Sequence, residues 1–206
     1  MVHFGIDPKN AYGISIPVLR KVAKEIGKDH SLALQLWDSE IHEARILAGM
    51  IDDPELVTEK QMDDWAKDFN SWDICDGTCL NLFRNTPFAY KKAIEWSNAK
   101  QEYIKRAGFS MMACLAVGDK EADDGKFRKF FSYIKKEALD ERNFVRKAVN
   151  WALRQIGKRN MNLNRLAAKV ASEIQKMDSK SARWIAQDAL RELKNPKTIN
   201  RIRKKI

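Results

Sequence analysis

Residues 71–83 carry the side chains with the clearest chemical potential in this sequence. The spacing predicts a helix from Ser71 to Phe83, on which Trp72, Asp76, Cys79 and Phe83 share one stripe. A carboxylate on an apolar stripe needs a partner or a function, because burying an unpaired charge is costly. A place in a functional site is therefore one interpretation of Asp76. A structural hydrogen bond from Asp76 to a neighbouring helix end is the alternative interpretation.

A second helix, predicted from Phe144 to Arg159, places a large aromatic side chain on its basic face. Trp151 lies off the core stripe and beside three cations, Lys147, Arg154 and Lys158. Indole interleaved with Lys and Arg can hold a sugar-phosphate backbone. Packing in the protein core is the alternative for Trp151, because most tryptophans are highly buried. The predicted core stripe of this helix consists of Val145, Val149, Ala152 and Ile156.

A third helix, predicted from Glu102 to Val117, carries an arginine beside an aromatic residue. The helical spacing points Arg106 away from the core residues and next to Tyr103 and Ser110. A guanidinium group in that position could hold a phosphate. A solvated surface arginine is the alternative.

The charge of the chain is unevenly distributed. The 206 residues include 38 Lys and Arg against 28 Asp and Glu, for a net charge of +10. Residues 1–125 hold 15 basic and 21 acidic side chains, whereas residues 126–206 hold 23 and 7, so the two parts carry −6 and +16. A charge of +16 in so short a segment is typical of proteins that bind a nucleic acid or an acidic membrane. Solvated helix faces are the alternative.

Composition excludes several classes of protein. A hydrophobic content of 44% with 32% charged residues is too apolar for a disordered chain. The longest uncharged apolar run, Phe109 to Val117, is far below the roughly 20 residues of a membrane span. We therefore expect a cytoplasmic protein with no membrane partner.

No metal or organic cofactor is predicted. The three cysteines form no CxxC pair, so we expect reduced thiols in the core, and the three histidines are scattered. The acidic run of Asp63, Asp64 and Asp68 is predicted to lie on a solvated helix face. This disfavours a metal-dependent nuclease.

The elements that must position these residues are helices. Apolar residues recur at spacings of three and four, strand signals are nearly absent, and turn residues follow at intervals of one helix. Ala-Leu-Arg occurs at residues 152–154 and again 37 residues later. We predict an all-α protein: an α-solenoid of HEAT- or armadillo-like antiparallel helix pairs, forming a single domain over residues 1–206 with a concave basic groove.

Three segments together resemble the AlkD-type DNA alkylation repair family from about Tyr12 to Leu193. They are Trp72 with Asp76 in a WDxxD stretch, Arg106 three residues after the aromatic Tyr103, and Trp151 in the FVRKAVNWALR segment. The resemblance implies a HEAT-like-repeat, monofunctional glycosylase. Such an enzyme hydrolyses the N-glycosidic bond of cationic alkylated purines, 3-methyladenine and 7-methylguanine, in duplex DNA without flipping the base.

The resemblance also implies roles for individual residues. Asp76 would oppose the cationic sugar that forms as the bond breaks and would orient the attacking water. Trp72 and Trp151 would pack on the deoxyribose. Arg106 would bind phosphates, together with Lys147, Arg154 and Lys158. All of these residues would line one groove, and the enzyme would act as a monomer with no cofactor and no obligate protein partner.

Two other functions are compatible with the same sequence. A non-catalytic HEAT-repeat protein that recognises damaged or branched DNA would bind in a salt-dependent way and release no base. A protein-protein scaffold would use the solenoid groove for peptides. The Trp72 and Asp76 pair, Arg106 and Trp151 together favour catalysis over the first alternative, because a protein that only binds DNA has no need of the acid.

Overall fold

A computed structural model of the chain describes residues 10–204, which form twelve α-helices and one 3-10 helix and contain no strand. This confirms the all-helical prediction. None of the helices in the described range is long and apolar enough to cross a membrane. The helices are α1 (Ile16–Ile26), α2 (His30–Asp38), α3 (His42–Ile51), α4 (Glu59–Lys67), α5 (Trp72–Asn81), α6 (Ala89–Ser97), α7 (Glu102–Gly118), α8 (Asp124–Glu137), α9 (Asn143–Gly157), α10 (Met161–Ile174), α11 (Lys180–Leu193) and α12 (Pro196–Arg203), and the 3-10 helix is Phe83–Asn85.

The chain divides into two compact units, one ending at Ala89 and the other beginning at Tyr90. Dividing the chain at this boundary gives the same charge asymmetry as dividing it after residue 125. Residues 1–89 hold 9 basic and 15 acidic side chains, and residues 90–206 hold 29 and 13, so the units again carry −6 and +16. The single domain over residues 1–206 stays a prediction.

Within each unit the second helices of successive pairs stack on one another. In the first unit α3 packs against α1 and α5, and α2 packs against α3. In the second unit α9 packs between α7 and α11, while α10 packs between α8 and α12 in the layer of first helices. Helices α7, α9 and α11 are called the second-helix layer below. This order is that of a solenoid, in which each helix pair buries its apolar face against the neighbouring pairs.

Polar side chains repeat the same register from one helix pair to the next. In the second unit Arg106, Lys135, Asn150 and Arg154 all hydrogen-bond to a residue 38 positions further along the chain. In the first unit the spacing is 31, as between Trp37 and Asp68 and between His42 and Asp73. The interval of 37 residues between the Ala-Leu-Arg segments therefore reflects the repeat of the second unit.

One close approach between helices requires glycine. A Cβ atom on Gly108 of α7 would lie 2.3 Å from the backbone nitrogen of Ser97 and 2.8 Å from its Cα. Because the obstructing atoms belong to the backbone, no side-chain rotation can relieve the clash. Gly108 therefore sets the packing distance between α7 and the end of α6.

We expect Gly108→Ala to lower the free energy of unfolding by an amount near the top of the about 1–3 kcal/mol usual for overpacking. Gly77→Ala on α5 is the matched control, because a Cβ atom on Gly77 would have no neighbour within 4 Å. That substitution should raise the free energy of unfolding by about 0.5–1 kcal/mol through helix propensity. Urea denaturation of both variants measures the difference, and equal stability of Gly108→Ala and the wild type would contradict the packing argument.

Candidate functional site

Helix α5 presents Trp72 and Asp76 at the edge of its buried face. Trp72 is 36% exposed and Asp76 is half-buried, whereas Ile74, Cys75 and Cys79 are buried. The prediction that Asp76 and Phe83 share one apolar stripe of a single helix is wrong. The helix ends at Asn81, and Phe83 belongs to the following 3-10 helix. Asp76 is therefore a partly exposed residue beside a partly exposed indole.

Asp73, three residues before Asp76, forms a hydrogen bond with a histidine of the neighbouring helix α3. Nε2 of His42, at the start of α3, lies 2.8 Å from a carboxylate oxygen of Asp73 in the first turn of α5. Burial raises the pKa of Asp73, but the hydrogen bond with His42 and its charge outweigh burial and leave the pKa below its usual value. A negative charge in the first turn also interacts favourably with the helix dipole, but local spacing gives no sign of His42, because this partner lies 31 residues away.

Arg106 on α7 is buried, at 6% exposure, and this corrects the expectation that it points away from the core. Its guanidinium group donates a 2.7 Å hydrogen bond to the carbonyl oxygen of Phe144 and lies 6.0 Å from the centre of that ring. Tyr103 is half-buried, with its ring centre 5.4 Å from that of Phe144. The arginine and the two aromatic side chains thus form one cluster at the start of α9.

Helix α9 places its residues on the predicted faces. Val145, Val149, Ala152 and Ile156 are all fully buried. Trp151 is half-buried, and Lys147, one turn before it, is exposed. The prediction that Trp151 lies off the core stripe is confirmed, and the two side chains share a face from which they can reach a ligand.

Two of the predicted phosphate contacts already have carboxylate partners. Arg154 donates a 2.5 Å hydrogen bond to Glu192 on α11, and Nζ of Lys158 lies 2.6 Å from the other oxygen of the same carboxylate. Partial burial raises the pKa of Glu192, but the hydrogen bonds from Lys158 and Arg154 outweigh it and lower the pKa below its usual value. Glu192 therefore offsets part of the positive charge of this face, which the sequence pattern did not show.

We expect Glu192→Gln to strengthen binding to duplex DNA by about two- to fivefold, the range of an exposed ion pair. Releasing Arg154 and Lys158 should also steepen the dependence of log K on log salt by about one to two. Fluorescence anisotropy with labelled duplex at several salt concentrations measures both quantities.

Glu173→Gln is the matched control for this charge change. It removes one carboxylate that lies 2.7 Å from Lys135, a pair of the same register in the first-helix layer of α8 and α10. Both variants therefore lose one negative charge at neutral pH. Equal effects of the two substitutions would show that net charge, and not the second-helix layer, sets the affinity.

The cysteines and the acidic run that the sequence singled out are placed by contacts within the protein. Within residues 10–204 no group of three or more His, Cys, Asp or Glu side chains is arranged to hold a metal ion. Cys75, Cys79 and Cys114 are buried, as predicted for core thiols. Asp64 forms ion pairs with Lys60 and Lys67. Asp68 accepts a 2.9 Å hydrogen bond from the indole of Trp37 and so is more than a solvated surface charge.

Comparison with known families gives this arrangement its context. A family model described as DNA alkylation repair enzyme matches residues 1–193. The chain belongs to this family. Residues 1–193 include every candidate site residue of both units, and they end at the last residue of α11. Helix α12 lies beyond the matched segment.

A solved structure shows a similar fold. It is described as representing "a new family of proteins related to the HEAT-like repeat DNA glycosylases with affinity for branched DNA structures". The similarity has a TM-score of 0.76 at 20% sequence identity and covers 91% of this chain and 84% of that one. No protein of curated function matches the chain. The likeness establishes a HEAT-like repeat fold.

Proposed function

We propose that this protein is a monofunctional DNA glycosylase that removes cationic alkylated purines, such as 3-methyladenine and 7-methylguanine, from duplex DNA without flipping the base. The observation that carries the proposal is the pair on α5: a partly exposed carboxylate, Asp76, one turn from a partly exposed indole, Trp72, in a chain of the DNA alkylation repair enzyme family. A protein that only binds DNA gains nothing from a carboxylate at its ligand surface, because that charge repels phosphates.

The chemistry required of the protein is limited, because the substrate base already carries a positive charge. When the N-glycosidic bond breaks, its electron pair goes to the base, which leaves as a neutral purine, and the sugar becomes an oxocarbenium-like cation. The carboxylate of Asp76 would lower the energy of that cation. Water oriented by Asp76 then adds to C1′, forming the new C–O bond, and its proton passes to bulk water. A fixed negative charge placed before the reaction begins needs no reorganisation during it.

The second unit would supply most of the affinity for DNA. Its charge of +16 and the accessible side chains of Lys147 and Trp151 on α9 suit a sugar-phosphate backbone. We propose that Trp72 and Trp151 pack on deoxyribose and that Lys147, Arg154 and Lys158 bind phosphates, the last two in competition with Glu192. Arg106 and Tyr103, on α7, would contact the same DNA next to the start of α9. The enzyme would work as a monomer without a cofactor.

Recognition of branched DNA without catalysis is the second candidate function. A relative of similar fold is described by its affinity for such structures, and the basic second-helix layer would suit branched DNA equally well.

A paired experiment separates the two functions. Free base released from methylated duplex is measured in EDTA, and affinity is measured for a four-way junction and for a duplex of the same length. We expect free 7-methylguanine above the level of a protein-free control. Tight junction binding with no base release would instead support the non-catalytic function.

A further inference from the structure

Trp184 on α11 is an exposed tryptophan for which the proposed function gives no role. It is 37% exposed, whereas Trp37, Trp65 and Trp96 are at most 4% exposed. A tryptophan kept in solvent contact forgoes much of the stabilisation that burying its ring would bring. Such a residue often marks an interaction surface.

The second-helix layer holds Trp184 in a defined orientation. The guanidinium carbon of Arg146, on α9, lies over the Trp184 ring at 5.1 Å from its centre. This contact has the same spacing of 38 residues as the hydrogen bonds from Asn150 to Asp188 and from Arg154 to Glu192. The contact between Arg146 and Trp184 is therefore the first of three contacts between α9 and α11 that share this spacing. Nε of Arg146 donates no hydrogen bond to any residue that the structure describes.

The surroundings of Trp184 are predominantly basic. Lys180, one turn earlier on α11, and Arg183 are exposed, and exposed Lys147 stands beside Arg146 on α9. The nearby acids are engaged within the protein. Glu141 accepts hydrogen bonds from Ser179 and from the backbone of Ser181, and Asp178 pairs with Arg183. A polyanion is the ligand class that this charge pattern favours.

Alignment of the repeats places Trp184 on the face that carries the other candidate DNA contacts. Superposing the two Ala-Leu-Arg segments puts Trp184 at the position of Lys147, four residues before that of Trp151. Neighbouring packed helices lie about 8–10 Å apart, and successive nucleotides of one strand advance about 3.4 Å along a duplex. A strand that follows the layer from α9 to α11 therefore passes from Trp151 to Trp184 in about three nucleotides.

We propose that Trp184 and Arg146 form a second DNA contact, at which the indole packs on a deoxyribose of the strand about three nucleotides beyond Trp151 and the guanidinium group binds an adjacent phosphate. The contact lengthens the protein's footprint on one side of the lesion. It rests on the proposed function only in taking DNA as the ligand and does not depend on catalysis.

The test uses duplexes that contain one tetrahydrofuran abasic-site analogue and whose two arms are shortened separately. Affinity is measured by anisotropy for the wild type, Trp184→Ala and Leu139→Ala, the last a control that removes an exposed apolar side chain, 51% exposed, from the same unit. On long-armed DNA we expect Trp184→Ala to bind about five- to fiftyfold more weakly than the wild type. Leu139→Ala should bind like the wild type.

Arm length gives the decisive result. When one particular arm is cut to fewer than about three base pairs, the wild type should fall to the affinity of Trp184→Ala and the two should become indistinguishable. Shortening the other arm should preserve the difference. Equal affinity of Trp184→Ala and wild type on all duplexes would overturn the proposal, as would a loss that is independent of arm length. Failure of both proteins to bind any duplex at low salt would instead overturn DNA as the ligand, and neither outcome depends on base release.

Discussion

Asp76→Asn should lower the single-turnover rate of 7-methylguanine release by about 10²- to 10³-fold, the usual cost of removing one preorganised electrostatic group. The amide keeps the size of the side chain but removes the negative charge that opposes the cationic sugar. Affinity for DNA should stay the same or increase, because a charge that repels phosphate is lost. Chromatography of the released base with excess enzyme measures the rate, and anisotropy measures the affinity.

Asp73→Asn is the matched control for this variant. Asp73 lies on the same helix, three residues earlier, and its carboxylate is held by His42 at 2.8 Å. We expect Asp73→Asn to keep the wild-type rate and to lose stability instead, because it weakens the hydrogen bond between the carboxylate and His42. A rate for Asp76→Asn equal to that of the wild type, or an equal loss of rate in both variants, would exclude a specific catalytic role for Asp76.

Arg106→Ala should lower the free energy of unfolding by about 2–4 kcal/mol, because it removes a charged hydrogen-bond donor together with buried packing. The carbonyl of Phe144 loses its 2.7 Å hydrogen bond, and the first turn of α9 loses its contact with α7. A change of this size should lower Tm by about 2–4 °C per kcal/mol in a chain of this length. Chemical denaturation and thermal scans measure these quantities.

Arg183→Ala provides the comparison for Arg106→Ala in the same unit. Arg183 is exposed and pairs with the fully exposed Asp178, so its removal should change stability by less than about 0.5 kcal/mol. If Arg106→Ala is as stable as Arg183→Ala, the buried arginine does not anchor α9. If Arg106→Ala, assayed below its own Tm, binds DNA as tightly as the wild type, Arg106 stabilises the helix and does not bind phosphate.

The faces of α9 could be predicted from the sequence because this helix has a clear boundary between core and solvent. The valines and Ile156 repeat at helical spacing, and Trp151 falls outside that repeat. The end of α5 was not predictable in the same way. The side chain of Asn81 donates to the carbonyl of Gly77, and that of Asn85 donates to the carbonyl of Asn81. Asparagine side chains compete with the helical backbone for such partners, which favours an early end.

The errors concern residues whose surroundings come from another repeat. A helical wheel gave Arg106 a solvent-facing side, but α7 is buried on nearly all sides from Arg106 to Ala116. Glu192 offsets part of the charge of Arg154 and Lys158 from 38 and 34 residues away, separations at which local spacing carries no information. The contact between Arg146 and Trp184 was unpredictable for the same reason. Its only sequence signal is an aromatic residue at the position that a lysine occupies one repeat earlier.

The most direct test of the proposed function is a time course of free 7-methylguanine released from methylated duplex DNA in EDTA. The wild type, Asp76→Asn and a protein-free control are followed side by side with excess enzyme. We predict rapid release by the wild type and release by Asp76→Asn close to spontaneous depurination. Release by the wild type no faster than the protein-free control, under conditions where it binds the duplex, would contradict the assignment of this protein as a glycosylase.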